Sequence, residues 1–224
     1  MSDKKHPNTS DSVLVMGLGR FGTAVARRLL EQGTEVLAID NDPAIVQSLS
    51  SDLPHVVHAD STDMNVLRQL GVLDFSHVVG SIGSNLEASI LTILNLNQLG
   101  VKDIWARAKD TQHGRIAEGV GAYHVVYLEA EMGGRVAHLV TGKMIDFIEF
   151  DDSFAIAKTR SPRQTHGKTL AQSDVRKKYG ITVVGIKRRH QDFIYAKAET
   201  EIKAGDHLMV AGETRLVDRF AALY

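Results

Sequence analysis

Short apolar runs and helically spaced apolar positions take turns along the chain from Val13 to Leu128. Val13-Leu14-Val15-Met16 is an unbroken run, and after it Phe21, Ala24, Val25 and Leu29 fall on one helical face. The pairing recurs. Val36-Leu37-Ala38-Ile39 follows, and then Val56-Val57-His58-Ala59 precedes Val66, Leu67 and Leu70. Val78-Val79 precedes Leu86, Ile90, Ile93 and Leu94, Ile104-Trp105-Ala106 precedes a short helix near Gln112–Glu118, and Val125-Val126-Tyr127-Leu128 closes the series. Strands that are apolar throughout, separated by helices, predict a parallel sheet covered on both faces. The fold class is α/β, a Rossmann-like doubly wound parallel sheet whose ligands lie beyond the carboxyl ends of the strands.

The pattern then changes. Met132, Val136, Leu139, Val140, Met144 and Phe147 repeat at helical spacing, which predicts a single helix over residues 131–148. Such a stripe packs either within the chain or against a second subunit. Asp151-Asp152-Ser153 marks a boundary. Beyond it come strands at Phe154–Ala157, Ile181–Ile186, Phe193–Ala196 and His207–Val210, a helix over Thr169–Tyr179, and a last helix carrying Leu216, Val217, Phe220 and Leu223. This is a second, smaller α+β domain. The expected division is a disordered lead-in over residues 1–11, a nucleotide-binding domain over 12–130, a crossover helix and linker over 131–150, and a C-terminal domain over 151–224.

The loop after the first run reads Gly17-Leu18-Gly19-Arg20-Phe21-Gly22. In a strand–loop–helix setting, Gly17 allows the sharp turn and Gly19 lets the backbone approach a diphosphate. Gly22 lets helix and strand pack closely, and the N–H groups of the helix start attract an anion. Asp40 ends the second run, where such units place the acid that binds the ribose hydroxyls, and its charge disfavours the 2′-phosphate of NADP. NAD(H), ATP, ADP and AMP remain open. The other strand ends, Asp40-Asn41, Asp60-Ser61-Thr62, Ser81-Ile82-Gly83 and Arg107, are expected to converge on the same crevice. Gly119-Val120-Gly121 follows a helix and precedes a strand, the wrong order for a phosphate loop, so Gly119 reads as a helix C-cap.

Composition narrows the chemistry. With 26 basic and 27 acidic residues among 224, the formal charge of −1 gives no reason to expect nucleic acid. Cysteine is absent, which removes disulfide and thiolate chemistry. The ten histidines include no His-Glu-x-x-His, and His55 and His58 point to opposite faces of a strand. Neither a Gly-x-Ser-x-Gly elbow nor a Walker lysine occurs. Lys187-Arg188-Arg189-His190 reads as a solvated basic turn of a hairpin. No run is long and apolar enough to span a membrane.

The motif wording itself resembles one family. Gly17-Leu18-Gly19-Arg20-Phe21-Gly22, Ala59-Asp60-Ser61-Thr62-Asp63, Trp105-Ala106-Arg107-Ala108 and Ile202-Lys203-Ala204-Gly205-Asp206-His207-Leu208, in this order, are similar to the cytosolic regulatory subunits of bacterial Ktr and Trk potassium-uptake systems. Those are built from an RCK N-terminal and an RCK C-terminal domain (TrkA-N and TrkA-C). The resemblance implies a non-enzymatic protein: a homodimer assembling into an octameric ring on a membrane-embedded potassium channel subunit, at the inner face of the cell membrane. ATP, ADP or NAD(H) would bind in the crevice. It further implies that Arg20 reaches a nucleotide's phosphates across the dimer interface and that Glu129, preceded here by Leu128 where the family has proline, helps hold a cation there. Cyclic di-AMP is implied at the stretch carrying Arg176, Ile181, Thr182 and Val183. The reading from another class is a small NAD-dependent oxidoreductase, which would need a positioned acid or base over the nicotinamide.

Overall fold

The computed structural model of the chain describes residues 12–140, 144–150 and 153–224. The expected lead-in over residues 1–11 lies outside them. They divide into two compact units, the first ending at Ala130 and the second running Glu131–Tyr224.

In the first unit β1 (Ser12–Met16), α1 (Arg20–Glu31), β2 (Glu35–Asp40), α2 (Pro43–Leu49) and β3 (Val56–His58) form the first half. The second half comprises α3 (Met64–Gln69), β4 (His77–Gly80), α4 (Leu86–Leu99), β5 (Ile104–Arg107), α5 (Thr111–Gly119) and β6 (His124–Val126), and α6 (Leu128–Val140) then begins. The strands form one parallel sheet in the order β3-β2-β1-β4-β5-β6. The order reverses direction at β1/β4, the position at which doubly wound sheets open a crevice.

The unbroken apolar run of β1 serves two cores at once. Leu14 and Met16 enter a cluster with Ile39, Leu67, Ile93, Leu96 and Ile104, while Val13 and Val15 enter another with Ala26, Val36, Leu49 and Leu53. Each such buried Leu or Ile contributes about 1.5–3 kcal/mol relative to exposure. Asp42, Asp63, Asn85 and Asp110 cap α2, α3, α4 and α5, each accepting from a backbone N–H in the first turn. A short polar residue thus ends each of these four strand-to-helix loops and fixes where the loop lies, whereas α1 starts after Gly19 with no side-chain cap.

The second unit contains β7 (Met144–Phe150), β8 (Phe154–Arg160), β9 (Lys168–Thr169), α7 (Leu170–Ser173), α8 (Val175–Tyr179), β10 (Thr182–Lys187), β11 (Phe193–Tyr195), β12 (Glu201–Ile202), β13 (His207–Glu213) and α9 (Thr214–Ala221). Its main sheet runs β11-β10-β13-β8-β7, with antiparallel pairings, and β12 pairs with β9. Val217 and Phe220 of α9 pack on this sheet with Phe147, Ile186, Leu208 and Val210.

Several expectations need correction. The helix expected over residues 131–148 ends at Val140, and Met144 and Phe147 belong to β7. A register shift between Met144 and Asp146 inserts Ile145 as an extra residue. Two inward residues three apart therefore mimic a helical period. The boundary at Asp151-Asp152-Ser153 falls between β7 and β8, which pair in one sheet; residues 151 and 152 themselves lie outside the described residues. The helix over Thr169–Tyr179 is divided at Asp174, which has a φ of 49°. Gly121, with φ 117°, and not Gly119, takes the left-handed position after α5. Arg188 is no solvated turn residue: its Nε donates to buried Asp206 at 3.1 Å and its Nη2 to the Glu201 carbonyl at 2.6 Å.

Candidate functional site

The glycine loop leaves β1 with Gly17 at φ 90°, and the Gly17 N–H donates to the Ile39 carbonyl at 2.9 Å, tying the turn to the end of β2. Gly22 sits where a Cβ would come within 1.9 Å of the Gly17 carbonyl oxygen, so α1 approaches the loop as only glycine permits. At Gly19 a Cβ would meet nothing within 4 Å: that face of the loop opens on space. Ser81, after β4, donates its hydroxyl to the Gly17 carbonyl and anchors the loop from the other side.

Asp40 ends β2 and is largely buried. Its Oδ2 accepts from the Leu18 N–H at 2.5 Å and its Oδ1 from the Asp42 N–H at 2.8 Å. A carboxylate offers about four acceptor positions, so two remain for hydroxyl donors. The segment after β3 is held from α4, where Asn95 donates to the Thr62 carbonyl at 2.8 Å and Thr92 bonds the Ser61 hydroxyl at 3.0 Å. One step further along that helix face, Ser89 meets buried His113 Nε2 at 3.1 Å. The Lys109 N–H donates to His113 Nδ1, and burial lowers the imidazole's pKa, so the ring is neutral and gives its Nε2 proton to Ser89.

These strand ends enclose one crevice of about 450 Å³. Of the residues nominated from the sequence, Gly17, Gly19, Arg20, Asp40, Asn41, Asp60, Ser61, Thr62, Ser81, Ile82, Gly83 and Arg107 line it. Leu18, Phe21 and Gly22 do not; Leu18 contributes its N–H to Asp40 while its side chain is buried. Ile39, Asp42, Ile45, Ala59, Ser84, Asn85 and Ala88 line it too, unforeseen. Of the four side-chain caps, Asp42 and Asn85, next to the switch point on β2 and β4, border the crevice, while Asp63 and Asp110 do not. Glu129 stands in the first turn of α6, and its Oε1 accepts from Arg107 Nη2 at 2.6 Å. That hydrogen bond, more than the charges of Arg107 and Arg20, holds its carboxyl below the ordinary range. Among the described residues no group of three His, Asp or Glu side chains is placed to hold a metal ion.

In the second unit Arg176, Thr182 and Val183 border a cavity of about 380 Å³ together with Leu170, Asp174 and Lys197. Ile181 does not; it is 1% exposed, in the core.

A doubly wound sheet with a glycine loop at its switch point and an acid at the end of the second strand defines a nucleotide-binding α/β domain, here followed by a small α+β unit. The TrkA-N domain family matches residues 13–128 and the TrkA-C domain family residues 162–224, and the chain belongs to this family of paired TrkA-N and TrkA-C domains. It is 38% identical to Ktr system potassium uptake protein C of Bacillus subtilis over 92% of this chain and 94% of that protein. To the Ktr system potassium uptake protein A of the same organism it is 34% identical, covering 92% and 93%. In fold it resembles the GsuK channel, with a TM-score of 0.70 and 20% identity over 98% of this chain and 40% of the channel chain.

Proposed function

We propose that this protein is the nucleotide-sensing regulatory subunit of a potassium channel or transporter of the Ktr type, without catalytic activity of its own. The observation that carries the reading is the crevice in which an open backbone face at Gly19 and the anchored carboxylate of Asp40 line the same space. The first suits a diphosphate and the second a ribose. Relatives covered over more than nine-tenths of their length are Ktr system potassium uptake proteins, which supports the potassium-uptake role. Membership in a family of regulatory subunits also sets aside the oxidoreductase alternative.

ATP, ADP or NAD(H) would occupy this site, held at the phosphates by the Gly17–Gly22 loop and Arg20 and at the ribose by Asp40. Cyclic di-AMP would occupy the second cavity, where Arg176 and Lys197 offer positive charge to its phosphates and Thr182 a hydroxyl. Ile181 shapes that wall from the core side and touches no ligand. The protein works as a homodimer that builds an octameric ring against a membrane-embedded potassium channel subunit, at the cytoplasmic face of the membrane. A cation at Glu129 fits one chain poorly, since this single carboxylate is already paired with Arg107. Reconstitution with a Ktr-type membrane subunit in liposomes tests the role. Potassium flux should change with the ATP/ADP ratio only when this chain is present, and flux indifferent to both would refute it.

A further inference from the structure

Arg107 stands where the crevice meets the first turn of α6. β5 ends at this residue, and the side chain lies so close over Gly83 that a Cβ there would come within 2.1 Å of Nη1. Its Nη2 is engaged by Glu129, yet its Nε is buried and has no hydrogen-bond partner among the described residues. A buried donor on a cation that makes no bond is unfavourable, and here it belongs to a residue of the crevice wall. Once its Nη2 leaves Glu129, the guanidinium can turn so that an anionic oxygen in the crevice accepts from it. Glu129, by contrast, has a side chain 59% exposed against 23% for Arg107. Water takes over its solvation when the pair opens, so the exchange costs little. A glutamate carboxyl is ionised through the neutral range, so Glu129 competes as a full anion.

We propose that Glu129 is an internal competitor for Arg107, holding the guanidinium until an outer phosphate of a nucleotide takes it, and that this exchange frees the first turn of α6. The inference rests on the crevice being a nucleotide site. Ser81, bonded to Gly17, and Gly83, beneath Arg107, lie in one segment after β4. In this reading a phosphate chain that leaves the glycine loop along this segment would meet Arg107, and a single phosphate held at the loop would not. Arg107 thereby determines specificity for di- and triphosphates over monophosphates, with Glu129 setting its threshold.

The sign of one substitution separates this role from cation holding. Calorimetric titration with ATP, ADP and AMP in EDTA should show Glu129→Gln binding ATP roughly two- to fivefold more tightly than wild type. AMP should be unchanged. Arg107→Gln should weaken ATP about tenfold or more, and in the double variant the gain from Glu129→Gln should vanish. Circular dichroism checks that the variants fold; if Arg107→Gln does not, the ATP-to-AMP contrast in Glu129→Gln carries the test alone. Unchanged or weaker ATP binding by Glu129→Gln, or a gain that persists without Arg107, overturns the inference. Wild-type protein that binds none of the three nucleotides defeats the nucleotide reading itself, and this inference with it.

Discussion

Gly19 and Gly22 stand three residues apart in one motif, yet the structure gives them opposite tolerances. A methyl at Gly22 would collide with the Gly17 carbonyl and the Ser81 hydroxyl, while one at Gly19 projects into open space. Gly22→Ala should therefore cost about 1–3 kcal/mol of stability by overpacking, against less than about 0.5 kcal/mol for Gly19→Ala, measured by urea denaturation. Asp40 combines two roles, orienting the Leu18 and Asp42 N–H groups and facing the crevice. Asp40→Ala should weaken every adenosine nucleotide by about 1.5–3 kcal/mol and reduce discrimination against NADP; a loss confined to NADH would contradict its ribose role. His113 provides a pH signature. Its folded pKa is lowered by burial, so its contribution to stability is complete above the unfolded value of 6.5 and is lost as pH falls from there through the folded value. Melting temperature should decline below pH 6.5 in the wild type, and that part of the decline should be missing in His113→Gln. An identical slope in both would show that His113 is not its source.

At the scale of elements, α6 and β7 show what periodicity conveys and where it misleads. The helical stripe of Met132, Val136 and Val140 is real, and these side chains are exposed in the single chain. Leu139 instead packs on the core of the second unit, so a charge there would disturb folding and assembly together. Val136→Glu is the cleaner variant: if the stripe forms the proposed subunit interface, light scattering should show a smaller species than the wild type while circular dichroism stays native, and an unchanged mass would refute an interface along this stripe. The first sheet was legible because its strands carry short apolar runs, that of β1 filling two cores at once, and because the loops before α2, α3, α4 and α5 end in a capping Asp or Asn. β7 was not, because its bulge at Ile145 imitates a helix. The short strands β9 and β12 were invisible, since each spans two residues and exists only through the other. Arg188 was misread for a related reason: its partner Asp206 lies 18 positions away, joined to it only by the folding of β10, β12 and β13.

For the whole molecule, the crevice was readable because strand ends of a doubly wound sheet must converge, and twelve of the nominated residues do line it. Its apolar walls, Ile39, Ile45 and Ala88, carried no separate signal, because an apolar residue bordering a ligand looks like any core residue. The Arg107–Glu129 pair was likewise hidden, since it joins the end of a strand to a helix three elements later. The central claim, that the crevice is a nucleotide site feeding a regulatory fold, is tested most directly by titrating wild type and Gly19→Asp with ATP, ADP and NADH. The open space at Gly19 lets the aspartate be accommodated without disturbing the fold, while its charge enters the position assigned to the diphosphate. The account predicts saturable binding of at least one of these ligands by the wild type and its near-complete loss in a variant with native circular dichroism. Undiminished affinity in that folded variant would contradict it.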